Sequence, residues 1–303
     1  MGEKILFDRL LSCLKKGEIA YTENENVAFR SSFKIGGIAR LAIFPNTREK
    51  LIYTLRLLSE AGVRFEVIGN ASNILFAFEY FDGALVFIGG IDERISEGTR
   101  IIADCGVSLT RLSNFACEHC LGGFEFAHGI PGVVGGSVYM NAGAHGSQIS
   151  DIIEYTEAYD IQTGDVQRIY EHGFSYRRSI YMDNPAFVCL SACFALKEEN
   201  QADIRAKIAA NMSARRESQP LEFPSAGSYF KRPSGYFAGK LIEDCGLKGM
   251  KQGGAEVSAK HAGFIINRGG ATAEDVLVLE EKIKEIVMSR FGVELEREVR
   301  LIR

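Results

Sequence analysis

The sequence lacks any long apolar run, although 46% of its 303 residues are hydrophobic. No stretch approaches the roughly 20 apolar residues that a membrane-spanning helix needs. The amino end has the pattern of an amphipathic helix and lacks the shape of a cleavable signal peptide. These absences argue against membrane insertion and predict a cytoplasmic protein.

An excess of positive charge is also lacking. The chain has 35 Lys and Arg against 39 Asp and Glu, which gives a net charge of -4 at pH 7. It contains no Lys/Arg cluster of the size that follows a phosphate backbone. Nucleic acid is therefore not expected as a partner.

The cysteines form no disulfide or metal framework that the sequence reveals. Their number is seven, which is odd, and without an export signal this predicts reduced thiols. Cys117 and Cys120 form a C-E-H-C pair and Cys189 and Cys193 are four apart, but a zinc site needs a second ligand pair at suitable spacing. We therefore expect no metal, and we expect the cysteines to act as small buried side chains.

The order of hydrophobic segments predicts an α+β fold of two or three subdomains. A strand stopped by Pro45 is followed by a helix opened by Asn46 and Thr47, with leucines at 51, 55 and 58, and by a strand that ends at Gly69. Hairpin strands follow around residues 151–196. A charged helix over 202–217 then leads to a last domain, whose helix is capped by Thr272.

Glycine is concentrated in three segments of the first half, where most common catalytic motifs are missing. There is no P-loop, no H-E-x-x-H, no G-x-S-x-G and no Rossmann G-x-G-x-x-G. The segments are F-K-I-G-G (33–37), G-N-A-S-N (69–73) and G-I-P-G-V-V-G-G (129–136). Together they indicate a large anionic cofactor that is held by main-chain donors rather than by Lys or Arg.

Seven motifs in order give the chain a resemblance to a known family. They are F-K-I-G-G-I-A, G-N-A-S-N-I-L, G-F-E-F-A-H-G-I-P-G-V-V-G-G-S-V-Y-M-N-A-G-A, F-S-Y-R-R-S, P-S-A-G-S-Y-F-K-R-P, G-K-L-I-E and L-E-R-E-V-R-L-I. In this order the chain resembles the UDP-N-acetylenolpyruvoylglucosamine reductases of bacterial peptidoglycan synthesis.

The resemblance implies an α+β architecture with a PCMH-type FAD-binding domain of two α+β subdomains, followed by a smaller α+β substrate-binding domain. The expected limits are 1–85 and 86–200 for the two subdomains and 201–303 for the substrate-binding domain, with a final strand that returns towards the FAD domain. It implies UDP-N-acetylmuramate dehydrogenase activity, which uses noncovalent FAD and NADPH on a UDP-sugar. A monomer or weak oligomer is expected.

The family pattern assigns catalytic roles to three residues. Arg177 would bind the carboxylate and stabilise the developing negative charge, because a guanidinium stays protonated and binds a carboxylate in a bidentate manner. Ser228 would protonate C2, and Glu298 would support the enolate as a neutral acid or through water. Arg178, next to Arg177, should point elsewhere.

The resemblance also implies cofactor and substrate contacts. The expected FAD contacts are Ile35, Gly36, Gly37, Gly69, Asn70, Ala71, Ser72, Asn73, Gly129, Ile130, Pro131, Gly132, Gly135, Gly136, Asn141, Ala142 and Gly143. The expected substrate contacts are Tyr176, Lys231 and Lys240.

The chain departs from the family pattern at three positions. The family often has glycine at Ala71, asparagine at Arg232 and proline at Arg297. The short segment between S-Y-R-R-S and Ala186 is typical of the shorter branch, which lacks an inserted tyrosine-bearing loop.

Two other functions are compatible with the residues alone. The first is a different PCMH-type flavin oxidase, in which His128 or His145 could bond to the flavin. The second is a non-catalytic protein that binds a flavin or a nucleotide sugar.

Overall fold

The computed structural model describes residues 2–303, with side chains from Phe7 onward. The chain divides into two compact units that interleave in sequence. Unit 1 contains residues 1–23, 40–70 and 82–213, and unit 2 contains residues 24–39, 71–81 and 214–303.

The described residues form eight α-helices and several one-turn 3-10 helices. The α-helices are α1 (Gly2–Lys16), α2 (Arg48–Glu60), α3 (Leu109–Glu118), α4 (Val134–Tyr139), α5 (Ile180–Asp183), α6 (Gln201–Ser218), α7 (Ala238–Asp244) and α8 (Ala273–Phe291).

The strands are numbered in chain order. They are β1 (Ala20–Asn26), β2 (Ile38–Phe44), β3 (Phe65–Ile68), β4 (Ile74–Phe76), β5 (Tyr80–Phe87), β6 (Arg94–Glu97), β7 (Arg100–Asp104), β8 (Leu121–Gly122), β9 (Gly143–Ala144), β10 (Ser147–Gln148), β11 (Ile153–Asp160), β12 (Val166–Ile169), β13 (Phe187–Ala195), β14 (Lys197–Glu198), β15 (Ser225–Ser228), β16 (Lys251–Gln252), β17 (Ala255–Val257), β18 (Phe264–Asn267) and β19 (Arg300–Ile302).

Unit 1 is built around two sheets. Most of a four-stranded sheet in the order β1-β2-β5-β3 belongs to it, as does a five-stranded sheet in the order β12-β11-β13-β7-β6. Helix α2 begins as predicted, because the Thr47 side chain accepts a hydrogen bond from the Lys50 backbone. Its leucines at 51, 55 and 58 are fully buried and form part of the core beside the first sheet.

The predicted strand-helix-strand segment is confirmed, but its two strands are not neighbours. Strand β3 pairs in parallel with β5, and β5 separates it from β2 in the sheet. At the start of helix α3, the Ser108 side chain accepts a hydrogen bond from the Arg111 backbone N–H and caps the helix. Helix α6 also matches the predicted charged helix.

Unit 2 has a core between a four-stranded sheet and helix α8. The strand order is β15-β18-β17-β16. Thr272 and Asp275 form a capping box at the start of α8, which confirms the predicted cap and uses Asp275 at the third helical position. Strand β19 pairs in parallel with β4, so this unit joins segments from distant parts of the sequence.

Both units combine helices with mainly antiparallel sheets, so the predicted α+β class is confirmed. The proposed limits at residues 85 and 200 stay a prediction about functional domains. In the part of the chain that the structure describes, no helix is both long and apolar enough to cross a bilayer.

Candidate functional site

Arg177 occupies a strained turn in unit 1. Ser175 and Arg178 form an antiparallel bridge, in which each backbone N–H donates to the other residue's carbonyl. Arg177 lies between them with a φ of +56°, a left-handed conformation that is costly for a residue with a side chain. Such strain persists only where the surrounding structure fixes it, and it is common at functional sites.

Neighbouring carbonyls orient the Arg177 guanidinium. Its Nη1 donates to the carbonyl of Asn141 at 3.3 Å and its Nη2 donates to the carbonyl of Gly143 at 3.2 Å. The guanidinium carbon also lies 5.0 Å from the centroid of the Tyr176 ring. These contacts fix the plane in which the guanidinium could receive a carboxylate.

Asn141 links the glycine-rich segment to the arginine turn. Its side chain is fully buried, donates to the carbonyl of Ser175 at 3.1 Å and accepts from the backbone of Ser150 at 3.0 Å. The family pattern assigns Asn141 to the cofactor. The described contacts give its side chain an organising role beside Arg177.

A buried polar cluster anchors the same turn. Thr156 Oγ1 lies 3.1 Å from His172 Nε2 and 2.6 Å from the Tyr181 hydroxyl, and the carbonyl of His172 accepts from the Ile180 backbone. Burial lowers the pKa of His172. The turn that carries Arg177 is therefore tied at both ends to strand β11 of the five-stranded sheet.

Arg178 points to a different partner, as the sequence analysis expects. Its guanidinium lies 2.8 Å from Asp183 and its side chain is 63% exposed. This surface ion pair makes Arg178 a matched control for Arg177.

Ser228 ends strand β15 in unit 2. It is exposed, while Tyr229 and Phe230, which follow it, are buried. Gly227 precedes it with a φ of +80°, where a glycine is favoured. In the sheet Ser228 lies opposite Phe264 of β18, so a paired strand positions the serine.

Glu298 lies beside the segment that carries Ser228. The Glu298 N–H donates to the carbonyl of Tyr229 at 2.9 Å, and Phe230 pairs with Arg297 in an antiparallel bridge. Glu298 lies between this bridge and strand β19, which begins at Arg300 and pairs with β4.

Two predicted cofactor segments meet in unit 1. The side-chain amide of Asn70 donates to the carbonyl of Pro131 at 3.2 Å. A Cβ on Gly69 would lie 2.8 Å from a methyl group of Val133, which explains why a glycine stands there. A Cβ on Gly136 would meet no protein atom within 4 Å, so this stretch of backbone is open.

The remaining part of the G-N-A-S-N loop belongs to unit 2. Ala71 has a φ of +47°, so the methyl group that replaces the family's glycine sits on a left-handed backbone. The side-chain amide of Asn73 donates to the carbonyl of Glu298 at 3.3 Å, and the Arg300 N–H donates to the carbonyl of Asn73. This half of the loop is therefore tied to the segment that carries Glu298.

The loop has the donors that a diphosphate needs. Within unit 2, none of the described hydrogen bonds uses the backbone N–H groups of residues 71–73 as donors. The segment contains no Lys or Arg, so an anion there would be held by main-chain dipoles. Ser72 adds a hydroxyl. These residues fit the diphosphate of FAD.

Several predicted cofactor residues are already engaged within the protein, either through their backbone N–H groups or through close packing. The Gly129 N–H donates to Thr110 and the Gly135 N–H to the carbonyl of Cys105. Ile35 is buried in the core of unit 2, and a Cβ on Gly37 would lie 2.2 Å from the carbonyl oxygen of Glu79. Close packing alone accounts for Gly37.

Of the predicted substrate contacts, Tyr176 and Lys240 are exposed and Lys231 is half-buried. Tyr176 is 47% exposed. Lys231 pairs with Glu296, and Lys240 lies 2.5 Å from Asp244, one helical turn away. Arg232 lies with its guanidinium 4.6 Å from the centroid of the Phe237 ring. Their role towards a substrate stays a prediction.

The seven cysteines are all free, as the odd count predicts. Burial raises the pKa of the Cys105 thiol and raises that of Cys189 to about 12, so both stay protonated at neutral pH. Within residues 7–303 no group of three His, Cys, Asp or Glu side chains could hold a metal ion.

Two protein families match separate parts of the chain. Residues 39–170 match the FAD binding domain family. Residues 219–302 match the C-terminal domain of UDP-N-acetylenolpyruvoylglucosamine reductase.

Full-length relatives extend this similarity over nearly the whole chain. The UDP-N-acetylenolpyruvoylglucosamine reductase of Caldanaerobacter subterraneus subsp. tengcongensis is 44% identical over 99% of this chain and 98% of its own length. The enzyme of Clostridium novyi is 43% identical over 97% and 95%. The crystal structure of the reductase from Thermus caldophilus has a TM-score of 0.79 and 30% identity, and the match covers 94% of this chain and 99% of that one. The chain therefore belongs to the UDP-N-acetylenolpyruvoylglucosamine reductase family.

Proposed function

We propose that this chain reduces the enolpyruvyl ether of UDP-N-acetylglucosamine-enolpyruvate to UDP-N-acetylmuramate, an NADPH- and FAD-dependent step of peptidoglycan precursor synthesis. Family membership supports this activity over a flavin oxidase with a covalent bond at His128 or His145, and over a non-catalytic binding protein. The FAD-binding family match and the open N–H groups of residues 71–73 support noncovalent FAD.

The reaction sets two tasks for the side chains. When bound, FAD would supply the hydride-transfer chemistry, with NADPH as the hydride source and C3 of the enolpyruvyl group as the acceptor. Negative charge then develops on C2 and the adjacent carboxylate, so the protein must stabilise that charge and supply a proton to C2.

Arg177 performs the first task in this proposal. Its guanidinium stays protonated and suits the planar carboxylate. The carbonyls of Asn141 and Gly143 fix its orientation before a substrate arrives. A group that is oriented in advance stabilises charge without reorganising during the reaction.

Ser228 performs the second task, with Glu298 beside it. The single observation that carries the proposal is the hydrogen bond between the Glu298 N–H and the carbonyl of Tyr229, the residue after Ser228. It brings two residues with assigned proton-transfer roles onto adjacent backbones, although 70 positions separate them. Ser228 is exposed and no other described residue binds its hydroxyl, so this hydroxyl can donate to a ligand. A serine is a weak acid, so positioning must make the transfer feasible.

An anaerobic stopped-flow experiment separates the two half-reactions. NADPH should reduce the flavin, and the enolpyruvyl UDP-sugar should reoxidise it. A protein that holds no flavin, or whose reduced flavin is reoxidised by oxygen alone, would refute the proposed function.

The Ser228→Ala variant tests the proton donor. NADPH should still reduce the flavin at a near-normal rate, because the serine acts only after hydride delivery. Reoxidation by the enolpyruvyl substrate should fall by about 10²- to 10⁴-fold, the loss typical of a missing general acid. Normal reoxidation would exclude Ser228 and direct attention to Glu298 or a bound water.

We also propose a cellular location, an oligomeric state and a family branch for the enzyme. A cytoplasmic location fits the nucleotide substrate and NADPH, and a monomer or weak oligomer is expected. The short helix α5 (Ile180–Asp183), followed closely by β13, supports the shorter branch of the family. Light scattering during size-exclusion chromatography measures the oligomeric state.

A further inference from the structure

Glu280 is a carboxylate in the core of unit 2, on helix α8, and it is fully buried. Its Oε2 accepts hydrogen bonds from the Tyr229 hydroxyl at 2.8 Å and from Arg297 Nε at 2.7 Å. Its Oε1 lies 2.5 Å from the ammonium group of Lys284, one helical turn later. A buried carboxylate needs such partners, because an unpaired charge in an apolar core is strongly destabilising.

The charge state of Glu280 follows from these contacts. Burial alone would raise the pKa of the carboxyl, but the hydrogen bonds from Arg297 and Tyr229 and the ion pair with Lys284 hold the pKa below its usual range. Glu280 is therefore ionised at neutral pH. Burial and the neighbouring carboxylate raise the pKa of Tyr229, so its hydroxyl remains a donor.

The two side chains that bind Glu280 Oε2 are the immediate neighbours of the proposed proton-transfer residues. Tyr229 follows Ser228, and Arg297 precedes Glu298. The backbones of the two segments meet at the Phe230–Arg297 bridge, flanked by the hydrogen bond from Glu298 to Tyr229. Strand β15 ends at Ser228 and β19 begins at Arg300, so neither sheet ladder covers this junction.

We propose that Glu280 is a positioning residue, whose one carboxylate oxygen fixes the segments of Ser228 and Glu298 against helix α8. This inference rests on the proposed function, because it concerns the groups that act there on C2. It also gives a role to Arg297, where the family pattern often has a proline: a proline side chain could not donate to Glu280.

The Glu280→Gln variant tests this role in the flavin-loaded full chain. Glutamine keeps the volume but loses the charge that holds Arg297. Flavin reduction by NADPH should stay near the wild-type rate. Reoxidation by the enolpyruvyl substrate should fall by about 10-fold or more, since a displacement near 1 Å costs up to ~10²-fold. The solvent deuterium isotope effect on reoxidation should increase, because proton transfer becomes slower than hydride delivery.

Two variants on the same helix are the matched controls. Val287→Ala opens a cavity in the same buried core. Glu281→Gln removes an exposed carboxylate, whose one described ion pair is with Lys284, the lysine that also binds Glu280. Both should keep the wild-type reoxidation rate and isotope effect below their melting temperatures. Amide hydrogen exchange gives a readout without turnover: Glu280→Gln should speed exchange at Tyr229 and Glu298, and the controls should not.

Three results would overturn the inference. The first is wild-type reoxidation and isotope effect in Glu280→Gln. The second is a loss of the same size in Val287→Ala at matched melting temperature, because stability would then explain the effect. If Glu280→Gln fails to fold, the milder Tyr229→Phe variant tests the role instead. It removes one hydrogen bond to Glu280 and should slow reoxidation but not flavin reduction. The third overturning result is an unchanged reoxidation rate in Tyr229→Phe. Failure of the proposed function itself looks different, because the wild-type flavin would then not be reoxidised by the substrate.

Discussion

At the scale of single residues, the Arg177 turn shows how strain is held in place. Arg177 and Asn141 both have left-handed backbones, with φ values of +56° and +43°. The conformation costs Arg177 about 1–2 kcal/mol, whereas asparagine adopts it more readily. The Asn141 amide donates to the carbonyl of Ser175 and the Asn141 carbonyl accepts from Arg177, so Asn141 stabilises the strained turn.

Replacing Arg177 by alanine should affect both binding and reoxidation. The variant loses a contact to the ground-state carboxylate, so the substrate should bind more weakly. It also loses charge stabilisation, so reoxidation should slow by about 10²-fold or more, the effect of one missing donor to a developing oxyanion. Flavin reduction by NADPH, followed by stopped-flow absorbance, should remain near normal.

Arg178→Ala is the control, because it removes only an exposed ion pair with Asp183, a kind of pair that contributes little to stability. It should change neither step. An Arg177→Ala variant with wild-type substrate affinity would show that another cation receives the carboxylate.

At the scale of elements, two adjacent glycines of helix α4 have different surroundings, so their variants can test packing and cofactor binding separately. A Cβ on Gly135 would lie 3.1 Å from Cys105 and from Ile88, whereas a Cβ on Gly136 would meet no protein atom within 4 Å. Gly135→Ala should therefore lower the free energy of unfolding by about 1–3 kcal/mol, as overpacking does.

Gly136→Ala should leave the flavin-free protein as stable as the wild type, or up to about 1 kcal/mol more stable, because alanine favours helix. We expect FAD to contact this open backbone, so the added methyl group of Gly136→Ala should lower FAD affinity at least about 10-fold, or ~1.4 kcal/mol. Urea unfolding and fluorescence titration with FAD measure the two effects. Unchanged FAD affinity would place the cofactor away from Gly136.

Elements with local signals could be predicted from the sequence. Caps at Thr47, Ser108 and Thr272 mark the starts of α2, α3 and α8, because a hydroxyl before an apolar repeat satisfies free N–H groups. Helix α4 was missed, since V-G-G-S-V-Y holds two glycines that disfavour helix. Burial of α4 against the paired strands β7 and β13 overrides that preference.

The candidate site was predictable only as a set of motifs. Arg177, Ser228 and Glu298 came from the family pattern, and the roles of Asn141 and Glu280 were not foreseen. Both act through contacts with residues far away in sequence, such as Asn141 with Ser175 and Glu280 with Tyr229. No periodicity or spacing reports contacts of that kind.

At the scale of the whole molecule, stability should depend on pH through three histidines. Burial lowers the pKa of His128, His172 and His261. The unfolded chain, with a histidine pKa of about 6.5, then binds more protons than the folded chain. The histidine contribution to the free energy of unfolding is therefore complete above about pH 6.5 and is lost as pH falls through the folded-state pKa values.

Urea unfolding at about pH 7.5 and about pH 5.5 should show a lower free energy of unfolding at the acid value. His172→Gln should reduce the difference, because glutamine does not titrate, and Arg178→Ala should leave it unchanged. A free energy that stays flat or rises on acidification would contradict this account.

The parallel pairing of β4 with β19 also bears on how the protein is made. Ile74–Phe76 are synthesised long before their partners Arg300–Ile302. At the usual rate of about 5–20 residues per second, roughly 10–45 s pass on the ribosome between the two. Throughout that interval β4 and the loop before it lack the strand against which they are held. Unit 2 therefore cannot complete its fold until Arg300–Ile302 have been synthesised, however early its first strands emerge.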